Sequence, residues 1–546
     1  MTFVITQGCC NDASCVPVCP VQCIRPRPGD PDFTTTEQLY IDPASCIECG
    51  ACAFVCPVEA IHHDAAVPAP LADAIGMNAE YFATDPLQDV APLPVERHRL
   101  PSEHPELSVA VIGAGPSAMY AVEQLSEIVG VSVTLVERTP TPFGLVRSGV
   151  APDHDRTKRI GDRFSRVLRR PNVTCLFNVE VGRDVSVAEL LEHHHAVICA
   201  AGASDDRKLG IPGEDLEGSV SARELVSWYN GHPDFAERHF DLSGKRAVII
   251  GNGNVALDLA RVLTQPASAY ERTSVSDVAL EALRRSAIEE VVVVARRGQA
   301  FAACSTAELL ALSKLPGVDL LADAAEVSVT DDELEAASVG GRSAALARRR
   351  AIVEAAAKRT PTAPRRIVMR FRLAPTELTG AGDGTVSAVV LSRPDGRSET
   401  LETSLVIRAV GFRGRTVPGF PFDPSAGVIP NDSGRVLDPE TGEHAPGLYC
   451  TGWIKRGPSG VIGTNRTDAA ETVTSLLDDV AAGHVGSPTG DLADLVDLVR
   501  TRQPEMVDLV GWQRIEETEV GAGRASGRTR VKLLTYESLV TTALRT

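Results

Sequence analysis

Cys46-Ile-Glu-Cys49-Gly-Ala-Cys52-Ala-Phe-Val-Cys56-Pro57 spaces four thiols as C-x2-C-x2-C-x3-C-P. Three thiolates so spaced can wrap one iron–sulfur cubane while the fourth reaches a second cluster. Soft thiolates suit iron–sulfur chemistry. Structural zinc, the alternative, usually takes paired C-x2-C knuckles. A thinner run lies upstream, with Cys9-Cys10, Cys15 and Cys19-Pro20. Cys19-Pro20 mirrors Cys56-Pro57, so residues 1–64 read as a pseudo-repeat of two half-sites. By that symmetry Cys19, Cys46, Cys49 and Cys52 hold one 4Fe-4S cluster, and Cys9, Cys15 and Cys56 hold the other. The thinner half has only Cys15-x3-Cys19, and three thiols suit a 3Fe-4S cluster; a second 4Fe-4S cluster is the other reading. The short interval before Cys15 leaves both Cys9 and Cys10 open as the ligand, and Cys23 reads as a packed thiol.

Two further stretches carry phosphate-binding chemistry. Val109-Ala-Val-Ile-Gly-Ala-Gly-Pro-Ser-Ala118 places Gly113, Gly115 and Ala118 on the G-x-G-x-x-G/A dinucleotide fingerprint. Gly113 permits a tight turn, and Gly115, without a Cβ, lets backbone approach a pyrophosphate at a helix N-terminus. The plain alternative is a glycine turn kept for strand–helix packing. Glu137 ends the next strand, 24 residues beyond Gly113, where it can accept hydrogen bonds from a ribose. Lys245-Arg-Ala-Val-Ile-Ile-Gly-Asn-Gly-Asn-Val-Ala256 repeats the fingerprint through Gly251, Gly253 and Ala256. The strand that follows it ends not in an acid but in Arg296-Arg297. A ribose 2′-hydroxyl calls for an acceptor, a 2′-phosphate for guanidinium. The first site is therefore expected to hold FAD and the second NADP(H), unless the two arginines are ordinary surface residues.

Particular elements must stand under these residues. Ala118, Ala121, Val122, Leu125 and Ile128 recur at helical spacing, and Val131–Glu137 suits a buried strand, so the first fingerprint sits on a βαβ unit. Val255, Leu259 and Leu263 begin the equivalent helix at the second, and 264–288 reads as a polar helical insertion before the arginines. Ala196–Gly202 reads as a strand returning to the first sheet, and Leu405–Gly411 as one closing the second. Pro140–His154, rich in proline and glycine, reads as a shaped loop. Gly447–Asn465 reads as a strand and a glycine-rich loop before a helix from about Thr467, whose N-terminus can face a flavin ring or phosphate. Residues 65–106, with seven prolines and no cysteine, read as a linker with some ordered packing. Residues 340–366, rich in alanine and arginine, read as a surface helix with a solvated basic face. Contact with residues 1–64, which carry eight acids and two arginines, is the weaker alternative. Residues 481–546 carry no motif.

A chain of 546 residues is too long for one core. Its net charge of −18 argues against nucleic acid and anionic membrane as partners. No apolar run reaches membrane-spanning length, and Met1–Gly8 lacks the basic region and long apolar core of a signal peptide. A cytoplasmic protein is expected, with its thirteen cysteines as thiols or metal ligands rather than disulfides. Cys175, Cys199, Cys304 and Cys450 read as ordinary buried thiols.

The first fingerprint, Pro140–His154, Gly251–Asp258, Arg296-Arg297 and Gly452–Asn465 together resemble the adrenodoxin-reductase-type ferredoxin–NADP reductases over about 107–480. Residues 1–64 resemble a seven-iron bacterial ferredoxin, and the whole is similar to the actinobacterial fusion form of that reductase. The resemblance implies an α/β fold of two interleaved dinucleotide-binding, Rossmann-like domains behind a small α+β ferredoxin-like iron–sulfur domain. FAD would occupy 107–205 with 413–480, NADP 206–412, and 481–546 would be a C-terminal extension. The resemblance also implies that Ser117, Glu137, Leu145 and Glu180 contact FAD and that Trp453, Gly460, Val461 and Ile462 line the flavin ring. Asn252, Gly253, Asn254, Val255, Arg296, Arg297, Glu308 and Gly460 would contact NADP. His154 and Glu308 match polar residues near the nicotinamide–flavin junction and stand as catalytic candidates. Glu308 also fits a capping box with Ser305, and Gln299 departs from the family's proline after Arg-Arg-Gly. The implied activity passes electrons between NADPH and iron–sulfur clusters, ferredoxin or another one-electron acceptor protein. A hydride carries two electrons, a cluster takes one, and flavin handles both. The rival readings are an electron-input subunit of a larger oxidoreductase and a non-enzymatic redox-sensing module.

Overall fold

A computed structural model of the chain describes residues 1–88, 98–338 and 343–545. Val- and Ile-rich runs such as Leu107–Ile112 and Glu290–Ala295 are buried almost throughout, and strands buried on both faces assemble into parallel sheets. The first sheet has seven strands in the order Asn431–Asp432, Arg435–Leu437, His444–Cys450, Ala196–Cys199, Leu107–Ile112, Val131–Glu137 and Val173–Phe177. From His444–Cys450 onward its neighbours are parallel. The second has six parallel strands, Ser219–Ser221, Leu405–Arg408, Arg246–Ile250, Glu290–Ala295, Arg365–Phe371 and Val318–Ala322. Leu405–Arg408 therefore does not close this sheet, because Ser219–Ser221 pairs outside it. The chain crosses between sheets twice, and the crossings pair antiparallel at Asp205–Asp206 and Phe412–Arg413.

Glycine is needed at both fingerprints for a shared reason. Gly113 and Gly251 have φ of +95° and +118°. A Cβ there would lie 2.7 Å from the Ala200 carbonyl oxygen and 2.2 Å from that of Ala409, at the ends of the adjacent strands. Gly115 differs, since a Cβ on it would meet nothing within 4 Å. It faces open space ahead of helix Pro116–Ser126.

Several sequence expectations need correction. Residues 65–106 are not simply a linker, for Asp73–Thr84 is a helix whose buried Asn78 stitches the N-terminal domain together. Its carboxamide accepts the Ile5 and Ile41 N–H groups at 3.2 and 2.8 Å and donates to the Ile5 carbonyl at 2.9 Å. Pro68 and Pro70 sit at the start of the preceding turn and Pro86 follows the helix, so proline punctuates this segment. Residues 89–97 of the expected linker lie outside the described residues. Within Pro140–His154, Gly144–Ser148 is a short helix, anchored because the Phe143 N–H bonds the Ala114 carbonyl at 2.8 Å. In 264–288, beyond the end of helix Asn254–Thr264, only Ala267–Ala269 and Asp277–Arg285 are helical, and Tyr270 and Val275 are fully buried. The helix after the glycine-rich loop of Gly447–Asn465 begins at Thr464.

The N-terminal domain pairs Phe3–Ile5 with Ile61–His63 and Ile24–Arg25 with Tyr40–Ile41, both antiparallel. Residues 481–546 form helices Leu492–Arg502, Leu509–Ser526 and Tyr536–Ala543. Trp512, Ile515 and Leu539 share the core that holds Val109, Val133 and Phe177. No helix among the described residues is long and apolar enough to cross a membrane.

Candidate redox site between the two sheets

A cavity of about 1470 Å³ runs between the sheets. Its walls carry Gly113, Gly115, Ser117, Glu137, Leu145, His154 and Glu180 from the first βαβ region and its flanks. Asn254, Val255, Arg297 and Glu308 come from the second, and Trp453, Gly460, Val461 and Ile462 from the returning loop. Four expected residues are not on the wall. Ala118 is fully buried under the strands, Gly253 caps helix Asn254–Thr264, and Arg296 is exposed beyond the cavity. The Asn252 carboxamide instead accepts the Ala303 N–H at 3.4 Å.

Glu137 is held by the turn it serves. One carboxylate oxygen accepts the Ala114 N–H at 2.8 Å, and the other takes the Thr139 N–H and hydroxyl at 2.9 and 3.0 Å. Those bonds fix the carboxylate beside the glycine turn with acceptor capacity to spare. Glu180 pairs with Arg183 at 3.0 Å. Ser117 donates to the Thr451 hydroxyl at 2.9 Å. The Trp453 indole N–H donates to the Ser459 carbonyl at 3.0 Å, and its ring stacks on Phe412 at 6.0 Å.

Between the sheets, Arg261 gathers three carboxylates that sequence reasoning had not joined. It bonds Asp153 at 2.9 and 3.1 Å, Asp258 at 2.9 Å and Glu308 at 3.3 Å. His154 Nε2 stands 3.9 Å from the same Glu308 oxygen. Burial pushes the Asp258 carboxyl above the usual range, while Arg261 and His154 outweigh burial at Asp153 and hold it below. The cluster therefore sets a carboxyl that holds its proton more tightly beside one that gives it up more readily. The capping box at Ser305 is only half formed. Its hydroxyl accepts the Glu308 N–H at 3.3 Å, but the Glu308 carboxylate is drawn away to Arg261. Asp258 lies in the Gly251–Asp258 stretch; its polarity on an apolar helix face was the available signal.

The thiols of residues 1–64 fall into two groups. Burial pushes Cys52 up to about 11, with the neighbouring Cys19, Cys46 and Cys49 adding to it. Burial likewise raises Cys15, with Cys9, Asp12 and Cys56 adding, and Cys52 after them. Crowded thiols in a buried setting lose their protons readily only beside a compensating positive centre, which iron supplies; the residues present thus fit iron–sulfur binding. Cys9 packs against both the N-terminal core and the core it shares with the reductase, whereas buried Cys10 belongs to the latter alone, with Val58 and Ala60. Cys23 is buried, its sulfur 3.5 Å from that of Cys19. All thirteen cysteines are free thiols, with Cys175, Cys199, Cys304 and Cys450 buried.

The N-terminal domain is docked on both halves of the cavity. The Gly463 N–H donates to the Cys10 carbonyl at 2.6 Å, and Cys9 and Cys10 line the cavity wall. Arg466 donates to the Asp12 carbonyl and the Ser14 hydroxyl at 2.9 and 2.8 Å. Arg163 joins Asp12 at 2.9 Å to Glu123 at 2.8 Å. A Cβ on Gly463 would lie 2.1 Å from backbone atoms of Asn11 and Asp12, so glycine is required at this contact. On the other half, Ser343–Lys358 is helical as expected but does not present a merely solvated basic face. Arg348 pairs with Glu80, and the nearly buried Arg349 with Glu37. Contact with the acidic domain, the weaker reading of the sequence, is what this helix makes; residues 340–342 of that segment lie outside the described residues. Glu37, Arg349 and Gly463 were missed because nothing local marks a contact between segments hundreds of residues apart.

The pattern of the pyridine nucleotide-disulphide oxidoreductase family matches residues 107–347, and that of the 4Fe-4S binding domain matches 39–62. A probable ferredoxin/ferredoxin–NADP reductase of Mycobacterium leprae is 42% identical across the whole chain and 98% of its own length. The NADPH:adrenodoxin oxidoreductase of Bos taurus is 39% identical over 79% of this chain and 91% of its own. Among solved structures, FprA of Mycobacterium tuberculosis in complex with NADPH covers 81% of this chain and all of its own, at 42% identity and a TM-score of 0.74.

Proposed function

The chain belongs to the ferredoxin/ferredoxin–NADP reductase family, and from that premise we propose that it moves electrons between NADPH and ferredoxin-type iron–sulfur centres carried on its own N-terminal domain. The observation that carries this reading is the contact between the Cys9–Asp12 loop and the Gly460–Gly463 loop at the cavity wall. Cys9, assigned to the half-site with Cys15 and Cys56, lines the pocket assigned to the flavin.

FAD is assigned to the first fingerprint and NADP(H) to the second, in domains spanning 107–205 with 413–480 and 206–412. The chemistry FAD supplies when bound is exchange between a two-electron hydride donor and one-electron acceptors. The chain's own residues do the positioning. Glu137 offers an acceptor to a ribose, and Gly115 leaves room for a pyrophosphate at its helix N-terminus. Arg297 on the wall and Arg296 beyond it offer guanidinium to a 2′-phosphate. His154 and Glu308, with Asp258 and Arg261, place polar groups where the sheets meet. Ser117, Leu145, Glu180, Trp453 and Gly460–Ile462 shape the flavin side, and Asn254 and Val255 the nicotinamide-nucleotide side.

Cys19, Cys46, Cys49 and Cys52 hold a 4Fe-4S cluster, and Cys9, Cys15 and Cys56 a 3Fe-4S cluster. Cys9 is favoured over Cys10 by its place in the N-terminal core. Ultraviolet–visible spectra of anaerobically purified protein, before and after NADPH, should show bleaching of both flavin and cluster bands. A protein without a flavin band, or one that NADPH does not bleach, defeats the reading. Iron analysis should return about seven irons. Eight irons with no paramagnetic 3Fe-4S signal in the oxidised protein would bring a further cysteine into the ligand set.

A further inference from the structure

Thr34–Gln38 of the N-terminal domain lines the same cavity as Cys304, Ser305 and Glu308. Glu37 joins the two segments. One of its carboxylate oxygens accepts the Thr306 N–H at 2.7 Å, and the other pairs with the Arg349 guanidinium. Arg349 in turn donates to the Cys304 carbonyl at 3.1 Å. Three contacts thus close a ring around Cys304–Thr306. From the other side, the Asn254 carboxamide accepts the Ser305 N–H at 2.7 Å. Two residues further on is Glu308, whose carboxylate enters the Arg261 network.

We propose that Glu37 is a positioning residue for NADP(H), so that the iron–sulfur domain forms part of the pyridine-nucleotide site as well as the electron outlet. The inference rests on the assignment of the second fingerprint to NADP(H). The first N–H groups of a helix have no partner within it. At Thr306–Ser313, the Asn254 side chain takes Ser305, Glu37 takes Thr306 and the Ser305 hydroxyl takes Glu308. A carboxylate there also suits the positive end of the helix dipole. The side chains of Glu37 and Arg349 are only 12% and 9% exposed, and among the described residues Glu37 is the only carboxylate paired with Arg349. Removing Glu37 leaves a nearly buried guanidinium without its carboxylate and a helix N–H without its acceptor. The segment free to respond is Cys304–Glu308, on the NADP(H) side, while the Glu137 and Gly115 contacts lie on the other sheet.

The test uses full-length protein carrying FAD and clusters. Glu37→Asp, Glu37→Gln and Glu37→Ala are compared with the parent by calorimetric titration with NADP+ and by ferricyanide reduction with NADPH. Glu37→Ala should weaken NADP+ binding and raise the NADPH KM about tenfold, the size expected for one charged hydrogen-bonded contact. Glu37→Gln should fall between, Glu37→Asp should recover most of the loss, and kcat and FAD content should stay within about twofold of the parent. If Glu37→Ala loses its cofactors, the isosteric Glu37→Gln carries the comparison. NADP+ affinity and NADPH KM equal to the parent's in Glu37→Ala and Glu37→Gln, with slower electron passage from flavin to clusters, would overturn the proposal and make Glu37 a docking contact alone. A parent whose flavin NADPH does not bleach defeats the functional reading instead, so the two failures are distinguishable.

Discussion

Arg296 and Arg297 are adjacent but not equivalent. The Arg297 guanidinium lies 5.2 Å over the Phe301 ring on the cavity wall, whereas Arg296 projects to solvent with no carboxylate paired to it among the described residues. Both are available to a 2′-phosphate, and a hydrogen bond to a charged group contributes about 1.5–3 kcal/mol. Arg296→Ala should therefore cost roughly tenfold or more in kcat/KM with NADPH and little with NADH. Steady-state kinetics with both nucleotides check this, and equal efficiency with NADH in the parent would sink the assignment. His194 is a residue of a different kind, 2% exposed beneath the first sheet. Its Nδ1 faces the Leu190 carbonyl at 2.9 Å, so Nδ1 donates, and its Nε2 accepts from the Thr134 hydroxyl at 2.7 Å. Burial lowers its pKa to about 4. Between pH 6.5 and 4 the unfolded chain binds a proton that the folded one refuses, so stability falls as pH falls through that window. The full effect is on the order of 3 kcal/mol. His194→Gln should flatten this part of the pH–stability curve, as read by denaturant unfolding between pH 7 and 4.5.

Helix Leu509–Ser526 braces the cavity wall on the side of the first sheet. Its Glu519, wholly buried, receives Arg147 of the Gly144–Ser148 helix at 2.6 and 2.9 Å, Arg530 at 2.9 Å and the Leu533 N–H at 3.0 Å. Arg147 also lies 5.5 Å over the Trp512 ring. The two guanidinium groups outweigh burial and hold the Glu519 carboxyl below its usual range. Breaking such a network by removing one partner leaves buried charges uncompensated, at a cost of about 3–5 kcal/mol. Glu519→Ala should lose stability on that scale and release FAD more readily, because Gly144–Ser148 packs against the glycine turn at Gly115. Denaturant unfolding and flavin fluorescence after gel filtration measure both. FAD retention equal to the parent's would show that the C-terminal helix stabilises the core without shaping the pocket.

At the scale of the molecule, the N-terminal domain is a bridge. Arg163 and Arg466 hold it to the first sheet's domain, and Arg349 and Lys314 to the second's. Helix Asp73–Thr84 belongs to this docked body through Asn78 and the stacked Tyr40 and Tyr81 rings, 4.4 Å apart. A shortened chain beginning near Leu107 should still bind FAD and reduce ferricyanide with NADPH. It should lose any rapid flavin reoxidation that the clusters provide in the full chain, and its NADPH KM should rise toward that of Glu37→Ala. Stopped-flow spectroscopy separates the steps, since flavin and cluster bands differ in wavelength. Clusters that are reducible by a low-potential reductant but never gain electrons from NADPH would exclude an internal outlet.

The chemistry was legible in the sequence wherever it depends on residues close along the chain. Thiol spacing, two glycine turns and the charge that ends each following strand depend on local backbone geometry, and Gly113, Gly251, Glu137 and Arg297 stand where that geometry puts them. Proline and alanine content misled at 65–106 and 340–366, because composition reports propensity while packing decides what a helix meets. Asn78 and Arg349 acquire their roles only from strands and carboxylates brought in from elsewhere. The same holds for Asp258 joined to Glu308 through Arg261, for Cys10 against Gly463, and for Glu37 on Thr306. A side chain's partners across hundreds of residues are selected by the energy of the packed whole, and no local spacing encodes them.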